Sequence, residues 1–522
     1  MKKIILYNII VLFLAVISFN SCTNDFDEIN TNENQPTADQ AAPDMLLTNA
    51  LESMTDRVHE IFLGHEMGSC WVQHLAKVQY TDEDRYIPRV AVINNTWNSF
   101  YGASGYDVAT IINVSEKNGE LYDNYRGVGL VLQAYIVSVV SDLFGDVPFS
   151  QAWKGASEEA IIAPAYDTQE AIYIALNEQL ELANSLLDED GNDVNGDILY
   201  DGDILKWKKF ANSLRLRLLL RMSGVSAQQA TVTADMTAIV NDPTTYPIFE
   251  SNEDNAALQY LGSAPNNHPI NENRKTRDDH RVSKSLIDIQ WANASYVDWR
   301  VVFYAELNAA YDYVGLPNGM LSSDAANYLG NGLANTSKIG TYFTKADAVG
   351  MLMSYAELQF ILAEAAVKGF IPGGLADAED YYINGIWGSY NQYANVENLA
   401  GRTITEEAAY WFGTPDDWTA DDLAQDFYDN DDYAWDPANA LELIGIQRWV
   451  AMFDQGLQAW FEWRRTGYPA LTPAVNGMNG GTIPVRVYYP SDEYSRNPSN
   501  VATAVSRIGT DDMKTRVWWD ID

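Results

Sequence analysis

The sequence predicts a mainly α-helical protein: a tetratricopeptide-like helical-repeat scaffold carrying large irregular loop insertions. Three observations predict it. Apolar residues recur three and four apart in one segment after another, the spacing that lines one face of a helix. Two such segments, 348–368 and 375–390, are joined by the short turn Gly369-Phe370-Ile371-Pro372-Gly373-Gly374, as helix pairs in a repeat are. Two long polar stretches, about 241–344 and 394–440, show no period. Stretches of that length inside a compact domain are usually functional loops or decorations.

The elements follow in order. Helical spacing begins near Asp44, a candidate N-cap, and runs through Met45, Leu46, Ala50, Met54, Val58, Ile61 and Phe62. Residues 122–144 form a strongly apolar helix ending at Gly145, where a left-handed glycine stops the helix and Pro148 prevents its resumption. In 168–187 Ile172, Leu176, Leu180 and Leu187 share a face; 203–222 carries Leu205, Phe210, Leu214, Leu218 and Leu219 with Lys and Arg between. One long helix is expected over 441–465, with Ile444, Trp449, Phe453, Leu457 and Trp460 in its core, and one strand over 483–489.

The N-terminus reads as a targeting device. Lys2 and Lys3 precede an apolar run, 4–17, broken only by Asn8. That is too short for a bilayer core, which takes about 20 residues, and it has the form of a secretory signal. Either ordinary cleavage after small residues or lipoprotein processing fits. Ser21 directly before Cys22 favours diacylglycerol attachment at Cys22, although Phe19-Asn20 makes an irregular lipobox. The expected organisation is a signal peptide over 1–21, a lipidated acidic tether over 22–43 and a single binding domain over 44–522. The one other cysteine, Cys70, lies in an apolar stretch and reads as a buried inert thiol.

Charge and motifs narrow the function. A formal net charge of −39, from 33 Lys+Arg against 72 Asp+Glu, argues against nucleic acid and disfavours polyanionic ligands. The 31 Tyr and 15 Trp supply flat rings with a polar handle, suited to ligand platforms. No Gly-rich phosphate loop or Gly-x-Ser-x-Gly elbow occurs, and no cofactor is expected. His59, His65 and His74 are six and nine apart, not the four that a zinc-protease helix needs. The acidic stretch from Asp193 through Asp197 and Asp201 to Asp203 resembles a calcium loop, but Ile204 stands where the bidentate Glu belongs, so it reads as a solvated turn. Glu357 and Glu364 share a helix face about 10 Å apart, beyond the spacing of a retaining glycosidase, and read as packing and polar contacts. Arg464-Arg465 reads as a helix-end interaction with carbonyls and dipole.

Several segments together resemble the SusD/RagB family of nutrient-binding outer-membrane lipoproteins, and its divergent SusD-like branch in particular. They are Cys22 with Asp25-Phe26-Asp27-Glu28-Ile29-Asn30; Asp142-Leu143-Phe144-Gly145-Asp146-Val147-Pro148-Phe149; Trp207 to Arg217; Ser354 to Ala365; Trp460-Phe461-Glu462-Trp463-Arg464-Arg465-Thr466-Gly467-Tyr468-Pro469; Pro484-Val485-Arg486; Tyr489-Pro490, Glu493 and Asn497; and Trp518-Trp519-Asp520. Trp299, in Asp298-Trp299-Arg300, departs from the proline expected there. The resemblance implies a tetratricopeptide-like scaffold, anchored by lipid in the outer membrane facing the exterior. It also implies a SusC-like TonB-dependent barrel as partner, to which bound oligosaccharide is delivered without catalysis.

By regional analogy with that family, binding is expected on the charged break 80–86 and in the long insertion. Rings of Tyr80, Tyr86, Trp291 and Trp299 would stack on sugar while Asp82 and Arg85 bond hydroxyls. The competing reading is that Tyr86 or Trp299 only anchors its loop. The rival functions are a secreted glycan-active hydrolase using a carboxylate pair, and a helical-repeat scaffold binding peptide or protein.

Overall fold

Helix α1 (Pro43–His59) begins the described chain with Leu47, Ala50, Leu51, Met54 and Val58 on its buried face. Asp44 lies inside its first turn and not at the N-cap, with Pro43 ahead of it; there the carboxylate still favours the helix dipole. Met45 is exposed; Leu47 takes the core position instead. The computed structural model describes residues 42–155, 160–291, 297–415, 417–429 and 432–521, so the 1–21 leader, Cys22 and the tether up to 41 lie outside the described residues.

After α1 the chain widens into a π-helical segment, Ile61–Ser69, closed by Cys70 N–H donating to His65 O. Then come α2 (Val90–Ser99), α3 (Gly105–Asn118), α4 (Asp123–Phe144), α5 (Gln169–Leu186), α6 (Ile204–Arg221) and α7 (Gln229–Asn241). The second half holds α8 (Tyr355–Val367), α9 (Gly374–Asn391), α10 (Ile404–Phe412), α11 (Ala420–Tyr428), α12 (Ala440–Ala451), α13 (Gly456–Thr466) and α14 (Pro498–Ile508). Successive helices pack as neighbours: α3 on α4, α4 on α5, α5 on α6, then α8 on α9, with α8 also meeting α6 and α12. This is the tetratricopeptide-like scaffold.

Local chemistry sets the boundaries. Side chains of Thr168, Asp203 and Ser354 accept from the third backbone N–H beyond them and start α5, α6 and α8. Thr403 with Glu406, and Thr419 with Asp422, form capping boxes on α10 and α11. Gly145 ends α4 at a φ of 88°. Cys70 is buried, and burial pushes its thiol up.

Four expectations are corrected. The 441–465 helix is two, because the turn between α12 and α13 swings α13 onto the π-helical segment. The 348–368 helix begins as strand β4 (Val349–Met353), and only α8 is helical. Residues 483–489 are extended but not a strand: Val485 N–H donates to Met513 O and Val487 N–H to Leu143 O, with no partner ladder. The polar stretch 394–440 contains α10 and α11.

The insertion 241–344 is stapled at two points. β2 (Ala256–Gln259) pairs antiparallel with β4, and β1 (Leu75–Lys77) pairs antiparallel with β3 (His280–Val282), matching Ala76 with Arg281. Asp298 and Arg300 then pair at 2.6 Å, and Arg300 reaches Gln447 on α12 at 2.6 Å while Tyr390 on α9 donates to Asp298 at 3.1 Å.

The scaffold closes around buried charge. Arg221 of α6 binds Asp142 of α4 at 2.5 Å and Glu462 of α13 at 2.7 Å. Arg465 of α13 forks onto Glu364 of α8 at 2.6 and 2.5 Å, and Arg448 of α12 reaches Glu364 at 2.9 Å and Glu462 at 3.0 Å. Trp519 Nε1 and the Tyr173 hydroxyl both donate to Asp142 Oδ1, at 2.7 and 2.5 Å. Arg217 separately forks onto Glu357, both bonds 2.6 Å. The helix-end reading of Arg464-Arg465 is thereby replaced: Arg464 donates to the carbonyls of Asp142 and Val485, on other elements. Burial alone would raise the Glu364 carboxyl, but Arg465, Lys368 and Arg448 hold it well below the ordinary range.

Glu364→Gln leaves three cations short of a partner and is expected to cost about 3–5 kcal/mol, read as a lowered denaturation midpoint. A change below about 1 kcal/mol contradicts the role given to the network.

His74 is fully buried, with Nε2 2.9 Å from Trp449 O, and burial drives its pKa from 6.5 to about 3. A base with a depressed folded pKa contributes stability present above its unfolded pKa and lost as pH falls below it. Glu66, pushed up to about 7 by burial, acts in the opposite sense, so the test compares a variant with its parent. His74→Gln keeps a donor for Trp449 O and should lose less stability than the parent between pH 7 and pH 5, by roughly 2 kcal/mol. Parallel pH profiles of the denaturation midpoint would refute this.

Candidate functional site

The two insertions meet in a cleft of about 420 Å³. One wall is the one-turn helix Val301–Tyr304 and the loop to Tyr313, with Gly340 to Tyr342; the other is Asn398 to Ala400 and Glu407 of α10. Gly340 makes the first wall possible, because a Cβ there would fall 1.6 Å from Phe303 O. Its N–H donates to Tyr304 O at 2.9 Å, which locks 340 beside 304.

Rings dominate the cleft. Tyr311 is 78% exposed at the tip of a turn, at a φ of 60°. The Asn308 side chain holds that turn, accepting from Ala310 N–H at 2.8 Å and Asp312 N–H at 3.0 Å. Tyr313 and Tyr342 line the interior, where burial, with Asp454 and Asp347 near, pushes Tyr342 up to about 12. Outside the lining, on α10, Tyr410 is 65% exposed, under the Arg402 guanidinium at 4.1 Å, and meets Trp411 edge-on. Such a set of apolar faces can stack on the face of a flat or ring-shaped ligand.

The polar groups are mostly committed. Glu407 is buried and accepts from Arg402 at 2.5 Å, Trp411 at 2.7 Å and Asn398 at 3.0 Å. Burial would raise its carboxyl, but these three donors bring it below the ordinary range. A general acid needs the opposite shift. Glu306 accepts from the Thr341 hydroxyl at 2.8 Å through one oxygen.

The sequence-predicted residues are divided. Trp291 is half-buried and edge-on to Tyr313, 4.9 Å between centroids, so it abuts the cleft. Tyr86 and Trp299 do not present rings to solvent, a correction to that expectation. Tyr86 is 2% exposed, its OH accepting from Ala474 N–H at 2.8 Å; Trp299 is 4% exposed and packs on Phe412. Both anchor their loops. Tyr80, Asp82 and Arg85 sit on a separate surface. Tyr80 is exposed under Arg277 at 4.6 Å, and Arg85 pairs with Asp82 at 3.4 Å. Beneath them Asp84 fixes the turn through Asn318 Nδ2 at 2.7 Å and Gly319 N–H at 2.8 Å.

Tyr311, Tyr313 and Tyr410 were not singled out in the sequence. For Tyr311 and Tyr313 the signal was an Asn followed by closely spaced tyrosines in an aperiodic stretch; Tyr410, on the short helix α10, carried no such signal. Elsewhere, Glu357 and Glu364 are buried in ion pairs, and Asp197 of the calcium-like stretch is filled by Leu199, Tyr200 and Gly202 N–H and Trp207 Nε1. Among the described residues no group of three or more His, Cys, Asp or Glu is placed to hold a metal ion.

Residues 33–490 match the SusD-like family described as starch-binding and associating with the outer membrane. The chain belongs to that family. A solved structure described as a chitin-binding protein is 26% identical to this SusD-like protein, over 92% of this chain and 100% of its own, with a TM-score of 0.77. A SusD homolog from Bacteroides fragilis is 23% identical over 92% and 100%, TM-score 0.72. A chitin-binding SusD homolog from Flavobacterium johnsoniae is 22% identical over 92% and 98%, TM-score 0.71. Among curated proteins none matches this SusD-like chain.

Proposed function

We propose that this SusD-like protein is a lipid-anchored binding protein of the outer membrane, facing the exterior. It captures nutrient oligosaccharide in the tyrosine cleft and delivers it, without chemistry, to a SusC-like TonB-dependent barrel. The observation that carries the reading is the cleft itself. Two insertions on a rigid helical scaffold enclose it, and Tyr311, Tyr313 and Tyr342 line it, in a family described as starch-binding. The Glu407 carboxyl, pinned as an anion by three donors, speaks against a hydrolase. Two similar structures are described as chitin-binding, which makes chitin oligosaccharides the first ligands to try, beside starch oligosaccharides.

Calorimetry tests the cleft. Tyr311→Ala is expected to weaken oligosaccharide binding roughly tenfold or more, the size of losing one stacked ring. Tyr80→Ala in the same series measures what the separate 80–85 surface adds. Binding unchanged in Tyr311→Ala and in Trp411→Ala moves the site elsewhere.

The anchor is tested at Cys22. Cys22→Ala should release the protein from the membrane fraction. Retention of the variant, with no acyl label on the parent, would disprove the lipid anchor.

A further inference from the structure

We propose that the cleft selects its oligosaccharide by charge. It takes amino sugars carrying free ammonium groups ahead of neutral sugars and excludes uronate-bearing ones, and Glu306 reads the ammonium. This rests on the cleft being the glycan site, and deepens that reading.

The charge of the lining is one-sided. It contains Glu306 and Glu407 and, among the described lining residues, no Lys, Arg or His. Glu407 is spent on Arg402, Trp411 and Asn398. Glu306 is different. Thr341 orients one of its oxygens at 2.8 Å, and its own backbone N–H is fixed to Lys338 O at 2.9 Å. Among the described residues its second oxygen has no donor and its carboxylate has no ion pair.

The cations nearby form their ion pairs elsewhere, although Arg281 still feels the Glu306 charge. Lys338 and Arg281 share the single Asp278 carboxylate, at 2.9 and 3.2 Å, with Arg274 also on it at 3.3 Å; Lys345 pairs with Asp347 at 3.7 Å, and Arg402 with Glu407 at 2.5 Å. An oriented carboxylate with no direct ion pair, in an aromatic cleft, attracts a cation twice over. It offers a charge-assisted hydrogen bond, and the exposed ring face of Tyr311 carries negative potential towards a cation, whereas the Tyr342 ring already has Lys345 Nζ 5.3 Å from its centroid. An ammonium on the sugar ring brings its charge and its stacking face together. A uronate would meet Glu306 with the same sign, inside a protein whose formal net charge is −39.

The experiment is calorimetry with three oligosaccharides of equal length: N-acetylchitooligosaccharide, its de-N-acetylated counterpart and oligogalacturonate. The parent protein is compared with Glu306→Gln and with Thr341→Val, which frees Glu306 from its orienting bond. The expected order is de-N-acetylated first, acetylated second, and no measurable galacturonate. Glu306→Gln should lower affinity for the de-N-acetylated oligomer at least tenfold and change the acetylated one less than about twofold. Thr341→Val should fall between. Because Glu306→Gln leaves almost all of the net charge in place, diffuse attraction to an acidic protein would survive it, and only a local reader is lost.

Equal affinity for the acetylated and de-N-acetylated oligomers, tight galacturonate binding, or equal losses for both amino-sugar forms in Glu306→Gln would overturn the charge reading while leaving the glycan site standing. Absence of binding to all three and to starch oligosaccharides would overturn the glycan site itself.

Discussion

The buried guanidinium–carboxylate network is the constraint on which the rest of this structure depends. Asp142, Arg221, Glu364, Arg448, Glu462 and Arg465 come from α4, α6, α8, α12 and α13, and each is satisfied only when all five helices hold one mutual placement. Such networks add little net stability compared with apolar packing, because desolvating the charges offsets their attraction. What this one provides is register. A helix sliding by one turn would strand a charge inside the scaffold, so the five helices are held where the insertions need them.

That network also explains why scattered short segments of the chain carry the family resemblance. Asp142 precedes Gly145, Arg217 and Arg221 follow Trp207, Glu357 and Glu364 share a segment, and Glu462 to Arg465 form another. Far apart in sequence, they converge on two ion-pair groups, the Arg217–Glu357 pair and the network itself, joined through α6. Pro484-Val485-Arg486 and Trp518-Trp519-Asp520 join them, through Val485 O to Arg464 and Trp519 to Asp142.

Helix positions were largely legible because apolar spacing marks a buried face whatever lies against it, and α4, α5, α6 and α9 stand where the spacing put them. Partners were not legible. Arg217 and Arg221 look like the polar side of α6, and only the fold brings carboxylates 140 and 241 residues away onto them. Helices α10 and α11 span nine residues each, too short and too acidic to register as periodic. The site suffered in the same way. A tyrosine in an aperiodic stretch looks the same whether it is Tyr311, held outward, or Tyr86, folded inward onto Ala474.

The turn at Tyr311 has a kinetic side. A tyrosine at a φ of 60° is in a region that side chains disfavour, and the Asn308 side chain keeps it there. That strain is met during folding, so in the proposed site the ring stands in place beforehand and little entropy would remain to be lost on contact. In the proposed site, capture on such a platform would be limited by encounter and not by rearrangement.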